Sequence, residues 1–151
     1  MSDLRDLYEE VILDHNRNPR NYPKKPDDSN CSAHGFNPLC GDEFFVQLTV
    51  ENGVIKDAGF EGTGCAISTA SASLMTEALI GKSVADVETL FKHVHMLLTE
   101  EAQVGKPEEF LGKLTVLTGV KEYPMRVKCA TLAWHTLTAA IDGNQDPVST
   151  E

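Results

Sequence analysis

Basic residues are scarce in this chain: 13 Lys and Arg stand against 23 Asp and Glu, a formal net charge of −10. Nucleic-acid binding draws its affinity from clustered cations that track phosphates, so that class of partner is excluded and a basic protein partner is expected. Long hydrophobic runs are absent too. No stretch approaches the roughly 18 apolar residues of a membrane span, and Met1 to Asp6 lack the basic region and apolar run of a signal peptide. These absences predict a soluble, cytoplasmic protein with no membrane segment. Cysteine is limited to four positions. In a reducing cytosol such thiols serve as metal ligands, reactive groups or small buried side chains rather than disulfides. There is no internal repeat and no low-complexity tract.

What is present fits one globular domain over residues 1–151, with 41% hydrophobic and 24% charged residues. Leu4, Leu7, Tyr8, Val11 and Ile12 recur at helical spacing, and Pro19 stops that helix. Residues 19–39 contain four prolines, several asparagines and little periodicity, which predicts a long surface loop carrying Cys31 and His34. Val46, Leu48 and Val50 then alternate with polar or outward residues, Asn52-Gly53 supplies a turn, and Val54 to Phe60 returns as the second arm of a hairpin. A helix is expected from Ala66 to Ile80, ended by Gly81. Another starts at the capping pattern Ser83 to Asp86 and runs to about Ala102. Phe110, Leu111, Leu114 and Leu117 predict a helix after Pro107. Pro124 punctuates, and Cys129 opens a final helix striped by Leu132, Ala133, Leu137, Ala140 and Ile141. The fold class is α+β, a small antiparallel sheet packed against several helices, with residues 143–151 as a flexible tail.

Three of the four cysteines are placed where thiolates form. Cys65 follows Gly62-Thr63-Gly64 at a strand-to-helix junction, and Cys129 stands at the expected start of the last helix. Unpaired backbone N–H groups and the positive end of the helix dipole favour thiolate there. Cys40 precedes Gly41 and Asp42, where glycine permits a tight turn and the carboxylate two residues on can face the same side. Three thiols and a carboxylate make a tetrahedral ligand set for zinc and equally a nest for an iron–sulfur cluster. Taken singly, each cysteine reads as an inert buried side chain and Asp42 as a turn or cap residue; it is the combined pattern that points to a site.

The stretches Pro38 to Asp42, Gly62 to Ser71 and Arg126 to Trp134 resemble, in that order, the motifs of the NifU/IscU-type family of iron–sulfur cluster assembly proteins. The similarity runs over essentially the whole chain. It implies a compact α+β fold and a zinc or nascent-cluster site formed by Cys40, Asp42, Cys65 and Cys129. Within the family the chain departs from the scaffold branch. Lys128 stands where scaffold members have histidine, Glu122 to Arg126 replace a Leu-Pro-Pro-Val-Lys segment, and the 63 residues between Cys65 and Cys129 are more than scaffold members have. All three departures resemble the SufU branch.

That resemblance implies a zinc-dependent sulfurtransferase. It would accept sulfur from a pyridoxal-phosphate-dependent cysteine desulfurase of the SufS type and relay it to the SufBCD assembly machinery. It further implies that a histidine of the desulfurase takes one zinc position and frees Cys40, the catalytic nucleophile. The alternatives are an IscU-type scaffold carrying a transient [2Fe–2S] cluster, and a non-catalytic zinc domain. Lys128 either holds the emerging persulfide anion by its charge or is a solvated neighbour. Arg126 pairs with Asp42, docks the partner, or is an exposed helix-start residue. Cys31 is a bystander thiol or a fourth thiolate in place of Asp42. His34 is available but unaimed; of His93 and His95, two residues apart, one at most reaches a shared site. His135 reads as a packing or surface residue.

Overall fold

A computed structural model of the chain describes residues 2–24, 26–38, 41–99, 124–143 and 148–149. The first helix, α1 (Ser2–Arg17), turns its Val11 and Ile12 toward the core. Its partner is α2 (Ala66–Leu79), and a buried polar cluster joins the two. His15 Nδ1 lies 2.7 Å from Ser73 Oγ, which also accepts the Arg20 N–H at 2.8 Å. A hydroxyl that accepts there has its proton free for the imidazole, so both buried groups are satisfied.

The sheet contains three antiparallel strands, β1 (Cys31–Asn37), β2 (Asp42–Glu51) and β3 (Val54–Thr63), with the two-residue β4 (Val148–Ser149) parallel to β1 on its other side. The expected hairpin is β2 and β3, turned by Asn52 and Gly53 at φ 53° and 75°. Two expectations need correction. Residues 31–37 of the predicted 19–39 loop form β1, because every residue from Cys31 to Asn37 finds a partner on β2. Val148 and Ser149, within the predicted flexible tail, pair with Gly35 and Phe36. Neither strand has the alternating apolar pattern that announces a strand in sequence, so only pairing reveals them.

Phe44, Val46, Leu48, Ala58 and Phe60 face inward from the sheet and are fully buried. Against them lie α2 and the last helix, α4 (Pro124–Asp142), while α3 (Val84–Thr99) packs on α4. The Ser83 hydroxyl caps α3 by accepting the Asp86 N–H at 3.1 Å, as its capping pattern predicted. The helix expected after Pro107 lies outside the described residues. Between α2 and α4 the Ser71 hydroxyl donates to the Ala130 carbonyl at 2.6 Å and accepts the Trp134 indole N–H at 3.2 Å, so the buried tryptophan has its partner.

How closely α4 approaches the sheet depends on Gly35. A Cβ there would stand 1.9 Å from Thr136 Oγ1 and 3.2 Å from Leu132 Cδ1. Gly35→Ala is therefore expected to lower stability by about 1–3 kcal/mol through overpacking. Denaturant unfolding checks this, and an unchanged midpoint refutes it.

Candidate metal centre

One end of the sheet gathers the ligands. Asp42 opens β2, directly opposite Asn37 at the end of β1. Gly41 takes φ +76° and its N–H donates to the Asn37 carbonyl at 2.9 Å, a conformation that suits glycine. Across the sheet, β3 stops at Thr63 and α2 begins at Ala66, leaving Cys65 as its N-cap. The Cys65 sulfur accepts the Ser68 N–H at 3.4 Å, as expected for a thiol at a helix start. Cys129 arrives from above on α4.

Cys129 differs from its expected place. The helix starts at Pro124, not at Cys129, so the thiol lies more than a turn inside, beyond the unpaired N–H groups of the first turn. Proline is well suited to the first helical position, since it lacks the N–H that would go unbonded there. Packing, rather than the helix dipole, brings this sulfur to the site: Cys129 is fully buried, and the buried Asn37 amide donates to its sulfur at 3.9 Å.

Asp42, Cys65 and Cys129 each offer an atom within 4.8 Å of the other two. Cys65 Sγ and Asp42 Oδ2 are 3.9 Å apart. A tetrahedral zinc, with Zn–S near 2.3 Å and Zn–O near 2.0–2.2 Å, needs neighbouring ligand atoms about 3.5–3.8 Å apart, so this donor set fits the ion after small side-chain movements. The carboxylate is only 2% exposed. Cys65 N–H donates to its Oδ1 at 2.8 Å and the Ser68 hydroxyl to its Oδ2 at 2.5 Å. Cys40, the remaining expected ligand, lies outside the described residues.

The other candidates separate cleanly. Cys31 is at the far end of β1, paired with Leu48 and packed on the core, about 20 Å along the strand from Asn37 at ~3.3 Å per residue. It cannot replace Asp42. His34 stacks on Phe45 with centroids 4.4 Å apart, and its Nε2 meets Glu43 Oε2 at 2.6 Å. Lys128 is half-buried on α4 beside Cys129, and Arg126 is exposed on the same helix. His95 and His135 approach each other across α3 and α4, with centroids 6.1 Å apart, and Phe91 meets His135 edge-on. His135 is thus a packing residue, as expected.

Sequence reasoning missed Ser68 and Asn37. Ser68 carried a faint signal, the cap-to-third-residue spacing from Cys65; Asn37 carried none, because only strand pairing brings it to Cys129.

Burial, and then the neighbouring His95, holds the His135 imidazole below its ordinary value of 6.5. Between that value and the lower folded one, the unfolded chain binds more protons than the folded chain. Stability should therefore fall as pH drops below about 6.5 and level off once folded His135 is also protonated. Unfolding midpoints from neutral to acid pH test this. An equal acid decline in His135→Gln would show that another group is responsible.

The profile of the NifU-like N-terminal domain family matches residues 7–130. The chain belongs to this family. Among NifU-like relatives, the iron–sulfur cluster assembly scaffold protein IscU of Thermotoga maritima is 44% identical over 136 residues, covering 89% of this chain and 92% of its own. The zinc-dependent sulfurtransferase SufU of Bacillus subtilis is 37% identical over 142 residues, covering 93% and 92%. A crystal structure described as an iron–sulfur cluster assembly scaffold for the SUF system, from Fervidobacterium islandicum AW-1, superposes with a TM-score of 0.80 at 34% identity, over 87% of this chain and 94% of that one. The resemblance to the NifU/IscU-type family and its SufU branch, and the α+β fold, are thus borne out. The chain is a member of an iron–sulfur cluster assembly family. No helix among the described residues is long and apolar enough to cross a membrane.

Proposed function

We propose that this protein is a zinc-dependent sulfurtransferase that accepts persulfide sulfur from a cysteine desulfurase and passes it to a SufBCD-type assembly complex in the cytoplasm. The observation that carries this reading is the carboxylate in the donor set: Asp42 stands within 4.8 Å of both thiols. Zinc accepts such a mixed tetrahedral set of thiolates and carboxylate, and the spacing fits the ion after small side-chain movements. Asp42, Cys65, Cys129 and Cys40 would hold the ion. When bound, zinc supplies thiolates at neutral pH. The named function of the Bacillus subtilis relative agrees.

Burial narrows the choice of nucleophile. Cys129 is fully buried and out of a partner's reach. Cys65 is half-buried and its sulfur is committed to the Ser68 N–H as the α2 cap. Cys40 is the nucleophile in this reading. Its thiolate attacks the outer sulfur of the desulfurase persulfide, the desulfurase S–S bond breaks, and the donor cysteine leaves as a thiolate. One S–S bond forms as one breaks, so no oxidant is consumed. In this reading half-buried Lys128, next to Cys129 on α4, would supply a cation for the new persulfide anion, and exposed Arg126 would meet the partner.

Turnover of a pyridoxal-phosphate cysteine desulfurase, measured with and without this protein, tests the proposal. A large stimulation supports it. Tightly bound zinc with no stimulation would leave a non-catalytic zinc domain. A brown chromophore after anaerobic reconstitution, without stimulation, would select the scaffold role named for the Thermotoga maritima relative.

A further inference from the structure

Ser68 touches Asp42, Cys65 and Cys129 alike. Its hydroxyl lies 2.5 Å from Asp42 Oδ2, 3.1 Å from the Cys129 carbonyl and 3.6 Å from Cys65 Sγ, and its N–H donates to Cys65 Sγ. It is fully buried. We propose that Ser68 is a positioning residue that locks Asp42 and Cys65 in place as ligands of the zinc site; this inference rests on the zinc reading above.

A hydroxyl has one proton to give. The charged carboxylate oxygen at the shorter distance takes it in preference to the carbonyl, since hydrogen bonds to ionised acceptors are the stronger ones. Asp42 is then gripped from both sides, by Cys65 N–H on Oδ1 and by Ser68 on Oδ2. Rotation of the carboxylate away from a metal would break both bonds in a place where water cannot replace them. Cys65 is held in the same way by the Ser68 N–H, and Cys129 by its helix and Asn37. Groups that orient ligands in this manner commonly carry a large share of a site's affinity.

The test uses the full chain carrying Ser68→Ala or Ser68→Thr, with zinc affinity measured by chelator competition and the visible spectrum recorded after cobalt substitution. Ser68→Ala should weaken zinc binding about 10–100-fold and shift the cobalt bands, while Ser68→Thr, which keeps the hydroxyl, restores both. Unfolding midpoints of the metal-free proteins separate a merely structural role: if Ser68→Ala lowers that midpoint yet binds zinc with wild-type affinity and an unchanged cobalt spectrum, the proposal is overturned. Failure of the unsubstituted protein to bind zinc would be a different result, removing the zinc reading itself and this inference with it.

Discussion

Replacing Cys40 by alanine abolishes persulfide on the protein and returns the desulfurase to its unassisted rate. The expected loss is about 100-fold or more, because removal of a nucleophile eliminates the covalent step rather than weakening it. In the proposed reading the described thiols do not substitute. Cys129 is fully buried, Cys65 caps α2, and Cys31 packs on the core at the opposite end of β1. The companion variant Cys31→Ala should therefore keep both stimulation and persulfide. Mass spectrometry of the protein after incubation with desulfurase and cysteine reads the outcome directly, as an added sulfur atom. Undiminished sulfur acceptance by Cys40→Ala would remove Cys40 from its role.

Cys129→Ala acts by another route, through the metal. It deletes a buried donor from a three-residue cluster and leaves the Asn37 amide facing a cavity. Zinc content should fall from stoichiometric to a small fraction. The protein then loses the stabilisation that ligand binding confers, about 3–4 kcal/mol for a metal present at 100 to 1,000 times its dissociation constant. Scanning calorimetry with and without a chelator is the measurement. The unsubstituted protein should lose stability on chelation, whereas Cys129→Ala should start low and respond little. An equal response to chelator in both proteins would show that Cys129 is not a ligand. The two variants differ in kind: Cys40→Ala is judged by sulfur, Cys129→Ala by metal and unfolding.

Much of this was legible before any folding. Alternation and Asn52-Gly53 specify the β2–β3 hairpin because side-chain period and turn chemistry are local properties. Helical periodicity places α1, α2 and α3 within a few residues, and the glycine run before Cys65 marks it as a helix cap. The three motifs named the family and nominated Asp42, Cys65 and Cys129 without coordinates. Pairing between distant segments was not legible. Cys31 to Asn37 has no strand pattern of its own and becomes β1 only against β2; that pairing sets Asn37 opposite Asp42 and sends Cys31 to the far end.

The chemical inventory of the site, thiols with a carboxylate, was thus determined by the sequence alone, since residue type carries ligand chemistry wherever the chain goes. Tertiary structure alone decided which of those groups meet, which are reachable and which are held. Burial of Cys129, the grip of Ser68 on Asp42 and the exclusion of Cys31 arise from contacts between residues far apart in sequence, and no local pattern encodes a long-range contact.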